Sequence, residues 1–177
     1  AASIGYAIPG AALAIGILIA VGTIDYLFNN TIGKLFNIPA SILVGSGITA
    51  LLFAYTSRFL AISVGAAEAG LTKVTHNMDM VARTLGSGAT STLFSVHAPL
   101  IRSSVITGAV LVFVDIMKEL PATLILRPFN FETLATFVYQ YASDELLNES
   151  APAALTIVLA GILPVILLSR TIDHLHK

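Results

Sequence analysis

Long stretches without a charged residue constrain this 177-residue chain more than any other feature. Crossing the hydrocarbon core as a helix takes roughly 20 apolar residues, because lipid offers no partner to a free backbone donor or acceptor. Ala1 to Ile24, Leu35 to Ser57 and Ala151 to Ser169 carry no charge. A further apolar stretch, Ser103 to Val114, meets Asp115, Lys118 and Glu119 before Leu120 to Leu126 resumes. These stretches predict an all-α fold, a polytopic transmembrane helical bundle forming a single domain over residues 1–177. Its spans are expected near residues 7–28, 39–64, 101–122 and 151–169, the second opening at Pro39, where proline lacks only a donor that would be orphaned anyway.

Composition agrees: 56% of the residues are hydrophobic and 11% charged, whereas a soluble domain is about one quarter charged. Such a chain cannot cover a soluble surface, and the lipid bilayer is its first expected partner. A net charge of −1 without clustered Lys and Arg excludes nucleic acid as a partner. With no cysteine, disulfides, thiolate metal sites and cysteine nucleophiles are excluded. Ser, His and acidic residues are too scattered for a catalytic triad, and Gly45-Ser46-Gly47 lacks the Lys-Ser/Thr ending of a phosphate loop. His174 and His176 fall in a polar tail, and His76 and His97 read as isolated surface residues. The expectation is therefore no enzyme, no metal site and no cofactor. The first run lacks the basic start of a secretory signal, and a chain that opens without Met in an apolar run reads as starting inside a larger protein.

Between the second and third spans lies the polar exception, Glu68 to Arg102. It reads as two short helices joined at Gly86-Ser87-Gly88, the first capped by Asn77 and carrying an Asp79–Arg83 pair. Gly86 is expected to end that helix in a left-handed conformation, and Ser87 to cap the second, which should stop before Pro99. If this loop, 68–100, is cytoplasmic, then Arg58, Lys73, Arg83, Arg102, Arg170 and Lys177 fall on or near that side, in agreement with the positive-inside rule. Arg58 is expected to snorkel to the inner headgroups.

The run Met80-Val81-Ala82-Arg83-Thr84-Leu85-Gly86, followed by Val96-His97-Ala98-Pro99-Leu100, resembles the cytoplasmic EAA signature of ABC importer permeases of the MetI-like, binding-protein-dependent family. Ala82, Gly86 and Pro99 hold the spacing, while Met80 and Val81 stand where Glu and Ala are usual and Ala98 where Leu is usual. The resemblance implies that Met80, Val81, Ala82, Arg83, Leu85, Gly86 and Pro99 couple the chain to an ABC ATPase dimer, Ala82 letting the helix sit deep in a groove on that partner. A second run, Asp115 to Thr123, is similar to the "KELPAT" segment of ferric-iron permeases, whose molybdate and sulfate relatives carry a similar stretch. The chain resembles the C-terminal half of such a permease with two fused copies of the core. Implied with it are a substrate-binding protein outside the cell, the remaining half of the permease or a second permease subunit, alternating access, and a place in the bacterial inner (plasma) membrane. The segments 29–38 and 127–150 would then form the outer face.

Charges at membrane depth suggest a site facing a bundle interior or a water-filled cavity. Asp115, Glu119 and Thr123, spaced four apart, are expected to share one helix face lining the translocation path, with Lys118 paired to Asp115 or to a partner outside the chain. Pro121 should break the local helix and free carbonyl groups toward a cavity. The bland reading puts all five residues at the outer interface, where the helix leaves the lipid. For iron, a carboxylate such as Glu119 would suit a hard cation. Thiamine and polyamines are other cargoes the resemblance allows. A secondary transporter or channel would also carry intramembrane charges, but needs no docking loop.

Overall fold

The computed structural model describes residues 6–34 and 47–175, and their side chains except those of Ile32, Leu167, Leu168 and residues 170–175. Pro39, Gly45-Ser46, His176 and Lys177, and the side chains of Arg170 and His174, lie outside that description, and so do the expectations placed on them. Among the described residues every regular element is helical. Four stretches are long and apolar enough to cross a membrane: Gly10–Thr31, Gly47–Leu71, Ala89–Met117 and Leu147–Ile166.

Helix α1, Gly10–Phe28, starts after Pro9 and ends in a π turn at Asn29–Gly33. Helix α2 is Gly47–Leu71, and α3, His76–Thr84, is the first helix of the polar loop. The single turn α4, Ala89–Thr92, passes through a second π turn, Leu93–His97, into α5, Ala98–Met117. Then come α6, Pro121–Leu126, α7, Leu134–Ser143, and α8, Leu147–Leu175.

Small residues set the helix spacing, as expected where lipid supplies no hydrophobic drive between helices. A Cβ added at Gly108 of α5 would lie 2.5 Å from Ala66 Cβ, and one at Gly70 of α2 would lie 3.0 Å from Ser104 Cβ. Thus α2 and α5 pack antiparallel with their backbones close. At the end far from the polar loop, Ala14 and Ile17 of α1, Ala50, Leu51 and Ala54 of α2, and Ala122 and Leu126 of α6 form the buried core. Gly47 meets the chain leaving α6, where an added Cβ would lie 2.6 Å from Leu126 O. Beyond this, α7 is fixed by a capping box at Thr133 and Thr136 and packs on α8.

Two expectations about continuity are corrected. The second helix of the loop does not stop before Pro99; it continues as one span from Ala89 to Met117. Proline has no N–H to return to Ser95 O, and the turn before it widens, the Ala98 N–H bonding to Leu93 O. In the other direction, α5 ends at Met117, short of the expected limit, and the chain turns through Lys118 to Leu120 before Pro121 opens α6.

Candidate functional site: a docking loop and a polar helix break

In the loop, α3 closes with a Schellman turn: the Ser87 N–H bonds to Ala82 O at 3.0 Å and the Gly86 N–H to Arg83 O at 3.0 Å. Gly86 has φ +82°, the left-handed conformation expected of it, which a side chain would strain. The caps differ from expectation. Thr75, not Asn77, precedes α3, and Gly88, not Ser87, precedes α4, neither with a side-chain cap bond. Asp79 reaches across the loop rather than along its helix to Arg83: its Oδ1 lies 2.7 Å from His97 Nε2. His97 is therefore not an isolated surface residue.

Exposure divides the signature residues. Ala82 is buried against its own chain. Met80, Val81 and Leu85, by contrast, are 49%, 58% and 80% exposed, an apolar surface on a helix of the polar loop. Arg83 and Pro99 are exposed as well.

At the break between α5 and α6 the four charged and polar residues, Asp115, Lys118, Glu119 and Thr123, separate into two groups, because Asp115 lies on α5 and Thr123 on α6 and no single helix face holds both. Lys118 Nζ pairs with Asp115 Oδ1 at 2.8 Å, one of the two partners expected for it. Glu119 turns inward: its Oε2 lies 3.3 Å from Arg58 Nε, its Oε1 3.4 Å from the Ala122 N–H, and its side chain is 8% exposed. Arg58 does not snorkel. It sits in the middle of α2, is 18% exposed, and its Nη1 donates to Ile8 O at 2.9 Å. It therefore leaves the set of basic residues expected on the loop side.

Thr123, fully buried, donates to Glu119 O at 2.6 Å. With that proton committed, Tyr55 donates to Thr123 Oγ1 at 2.6 Å. A Cβ on Gly10 would lie 2.6 Å from Glu119 Oε1 and 3.1 Å from Arg58 Nη1, so the start of α1 rests directly on the ion pair. The break is thus a polar knot tying α1, α2 and α6 together, built around a neutralised charge pair. Pro121 at the first turn of α6 is accommodated there because its missing donor would have been unpaired.

Of the knot, the sequence pointed to Glu119, Pro121 and Thr123 but not to Arg58, Tyr55 or Gly10. The available signal was Arg58 itself, a lone cation within an apolar run, which calls for a carboxylate at the same depth. Among the described residues no cluster of three or more His, Asp or Glu is placed to hold a metal ion.

Four membrane-length helices, a polar loop with a sharp glycine turn and a broken third span define an integral membrane protein of the polytopic helical class. The chain belongs to the family described as binding-protein-dependent transport system inner membrane component, matched over residues 1–177, a permease family rather than an enzyme family. It is 30% identical over 120 residues to the Fe(3+)-transport system permease protein FbpB 2 of Haemophilus influenzae, covering 68% of this chain and 24% of that one. It is also 30% identical over 112 residues to the molybdate/tungstate transport system permease protein WtpB of Pyrococcus furiosus, covering 63% of this chain and 43% of that one. The WtpB of Methanocaldococcus jannaschii is 29% identical over 93 residues, 52% of this chain and 37% of its own. The chain thus spans less than half the length of these curated relatives.

Proposed function

We propose that the chain is the membrane-spanning part of an ABC importer permease in a bacterial plasma membrane, working by alternating access that a separate ATPase dimer drives. The observation that carries this reading is the loop: α3 ends in a left-handed glycine turn and exposes Met80, Val81 and Leu85, an apolar knob presented to a cytoplasmic partner. Gly86 and Pro99 set its shape, and Arg83 flanks it. On the opposite face the segment 127–150 meets a substrate-binding protein, with Phe129, 95% exposed, in the turn before α7. A second permease half or subunit completes the pathway.

Ferric iron is the proposed cargo, on the 30% identity to a ferric-iron permease and the Asp115 to Thr123 run. Molybdate or tungstate is the second reading. It is favoured by one feature of the break: Glu119 is neutralised by Arg58 and Asp115 by Lys118, so neither carboxylate is free to hold a cation. In either case Glu119 acts by closing the helix break rather than as a metal ligand.

The test is uptake into proteoliposomes holding the full-length permease, its ATPase and its binding protein, with radiolabelled iron and molybdate as separate cargoes. Uptake should need ATP, stop with vanadate, and fall to background in Leu85→Asp. Uptake that ignores vanadate would mean a secondary transporter or channel. A cargo preference for molybdate would replace iron.

A further inference from the structure

Resting on that functional reading, we propose that Asp79 and His97 form a strut that carries movement of the docking helix α3 into the membrane helix α5. Within α3 only Asp79 and Ala82 are withdrawn from solvent. Three residues apart, they share one helix face, which is the face turned toward the foot of α5. Ala82 contributes packing alone. Asp79 makes the directed contact, Oδ1 to His97 Nε2 at 2.7 Å, with the two side chains 33% and 21% exposed.

His97 is the last residue of the π turn and immediately precedes Ala98, the first residue of α5. A push on α3 therefore reaches α5 through one side-chain contact at the end of a twenty-residue rod. The covalent route between the same elements is softer, since it runs through Gly86, Ser87 and Gly88. Hydrogen bonds involving an ionised group are short and directional, properties a transmitting contact needs. Asp79 and His97 are thus assigned as positioning residues, acting through α3 and α5.

The experiment uses the full-length permease reconstituted with its ATPase and binding protein, measuring ATP hydrolysed and cargo taken up in one vesicle preparation. Asp79→Ala and His97→Ala should leave hydrolysis running while cargo moved per ATP falls about tenfold, the size of a typical coupling between two sites. Asp79→Asn, which keeps an acceptor for His97, should retain most of the ratio. The exchanged pair, Asp79→His with His97→Asp, should recover it.

An unchanged ratio in the alanine variants, or a loss that neither Asp79→Asn nor the exchanged pair relieves, overturns the strut. Should the alanine variants be lost from the membrane, the exchanged pair decides alone: coupling near wild type supports the strut and hydrolysis without uptake overturns it. A wild-type complex that takes up nothing with ATP overturns the importer reading and the strut together, a result readable before any variant is made.

Discussion

At the scale of single residues, the knot at the α5–α6 break makes a sharp claim about Arg58 and Glu119. Removing one member of a buried ion pair leaves the other charge uncompensated, which costs roughly 3–5 kcal/mol, whereas replacing both by apolar groups can be nearly neutral. Glu119→Gln should destabilise the purified protein at the lower end of that range, since Arg58 keeps its 18% exposure and its bond to Ile8 O, and Arg58→Gln, which also loses that bond and leaves Glu119 8% exposed, should cost at least as much. Arg58→Leu with Glu119→Leu should recover much of the loss. Unfolding in detergent across the four proteins measures this, and additive losses in the double variant would show that the two charges do not act as a pair. Very little of the pairing was legible in the sequence. The charges stood out one by one, but their residues come from separate helices, and a helical spacing rule sees only neighbours on one helix. That rule joined Asp115, Glu119 and Thr123 because it assumed that α5 continued; the turn through Lys118 to Leu120 removed the assumption.

At the scale of elements, the spans were the most legible part, because a run of apolar residues long enough to cross lipid leaves a helix as almost the only outcome. Which helices touch was not legible, since lipid-facing and helix-facing residues are alike apolar, and small residues at Gly70, Ser104 and Gly108 signal close packing without naming a partner. The α2–α5 contact predicts that Gly108→Val, placing a Cβ about 2.5 Å from Ala66 Cβ, destabilises the bundle by roughly 1–3 kcal/mol through overpacking. Gly65→Val on α2, whose added Cβ would meet nothing within 4 Å, should be far milder. Comparing their melting in detergent tests the register.

The capping segment of α7 makes a prediction about pH. Partial burial would raise the Glu132 carboxyl, but the Thr136 hydroxyl and the Arg127 guanidinium favour the ionised form and hold it below the ordinary carboxylate value. A carboxylate lowered in the folded state stabilises above its unfolded pKa and loses that contribution as pH falls through the folded one. Hydrogen exchange at the start of α7 should therefore accelerate as pH drops below the ordinary carboxylate range, after correction for intrinsic rates. In Glu132→Gln the acceleration should be absent.

At the scale of the whole molecule, the antiparallel helices place Leu85 and Phe129 at opposite ends, both largely exposed. Because these 177 residues hold no cysteine, Leu85→Cys and Phe129→Cys each place a single thiol within them, and any cysteine elsewhere in the full-length protein is to be replaced first. A membrane-impermeant maleimide should label the Phe129 position in intact cells and the Leu85 position only in inverted vesicles. The reverse pattern would turn the molecule over and remove the cytoplasmic docking surface. With Arg58 paired to Glu119 inside the bundle, Lys73, Arg83 and Arg102 are the described basic side chains left on the loop side.

The Arg58–Glu119 pair also bears on how the protein is made. Helix α2 has the lowest mean hydropathy of the four membrane-length stretches, 1.5, and a cation at its centre. A lone Arg at mid-helix costs about 2.5–3.5 kcal/mol on insertion scales, and its carboxylate partner is synthesised much later, only after the docking loop and α5. During synthesis α2 is therefore expected to enter the membrane with Arg58 lacking its counter-charge, only the earlier Ile8 O being available to it, and to settle at its final depth when Glu119 arrives. Biogenesis of this bundle is then expected to be coupled across about a third of its 177 residues, and a ribosome stalled before Glu119 should leave α2 only partly integrated.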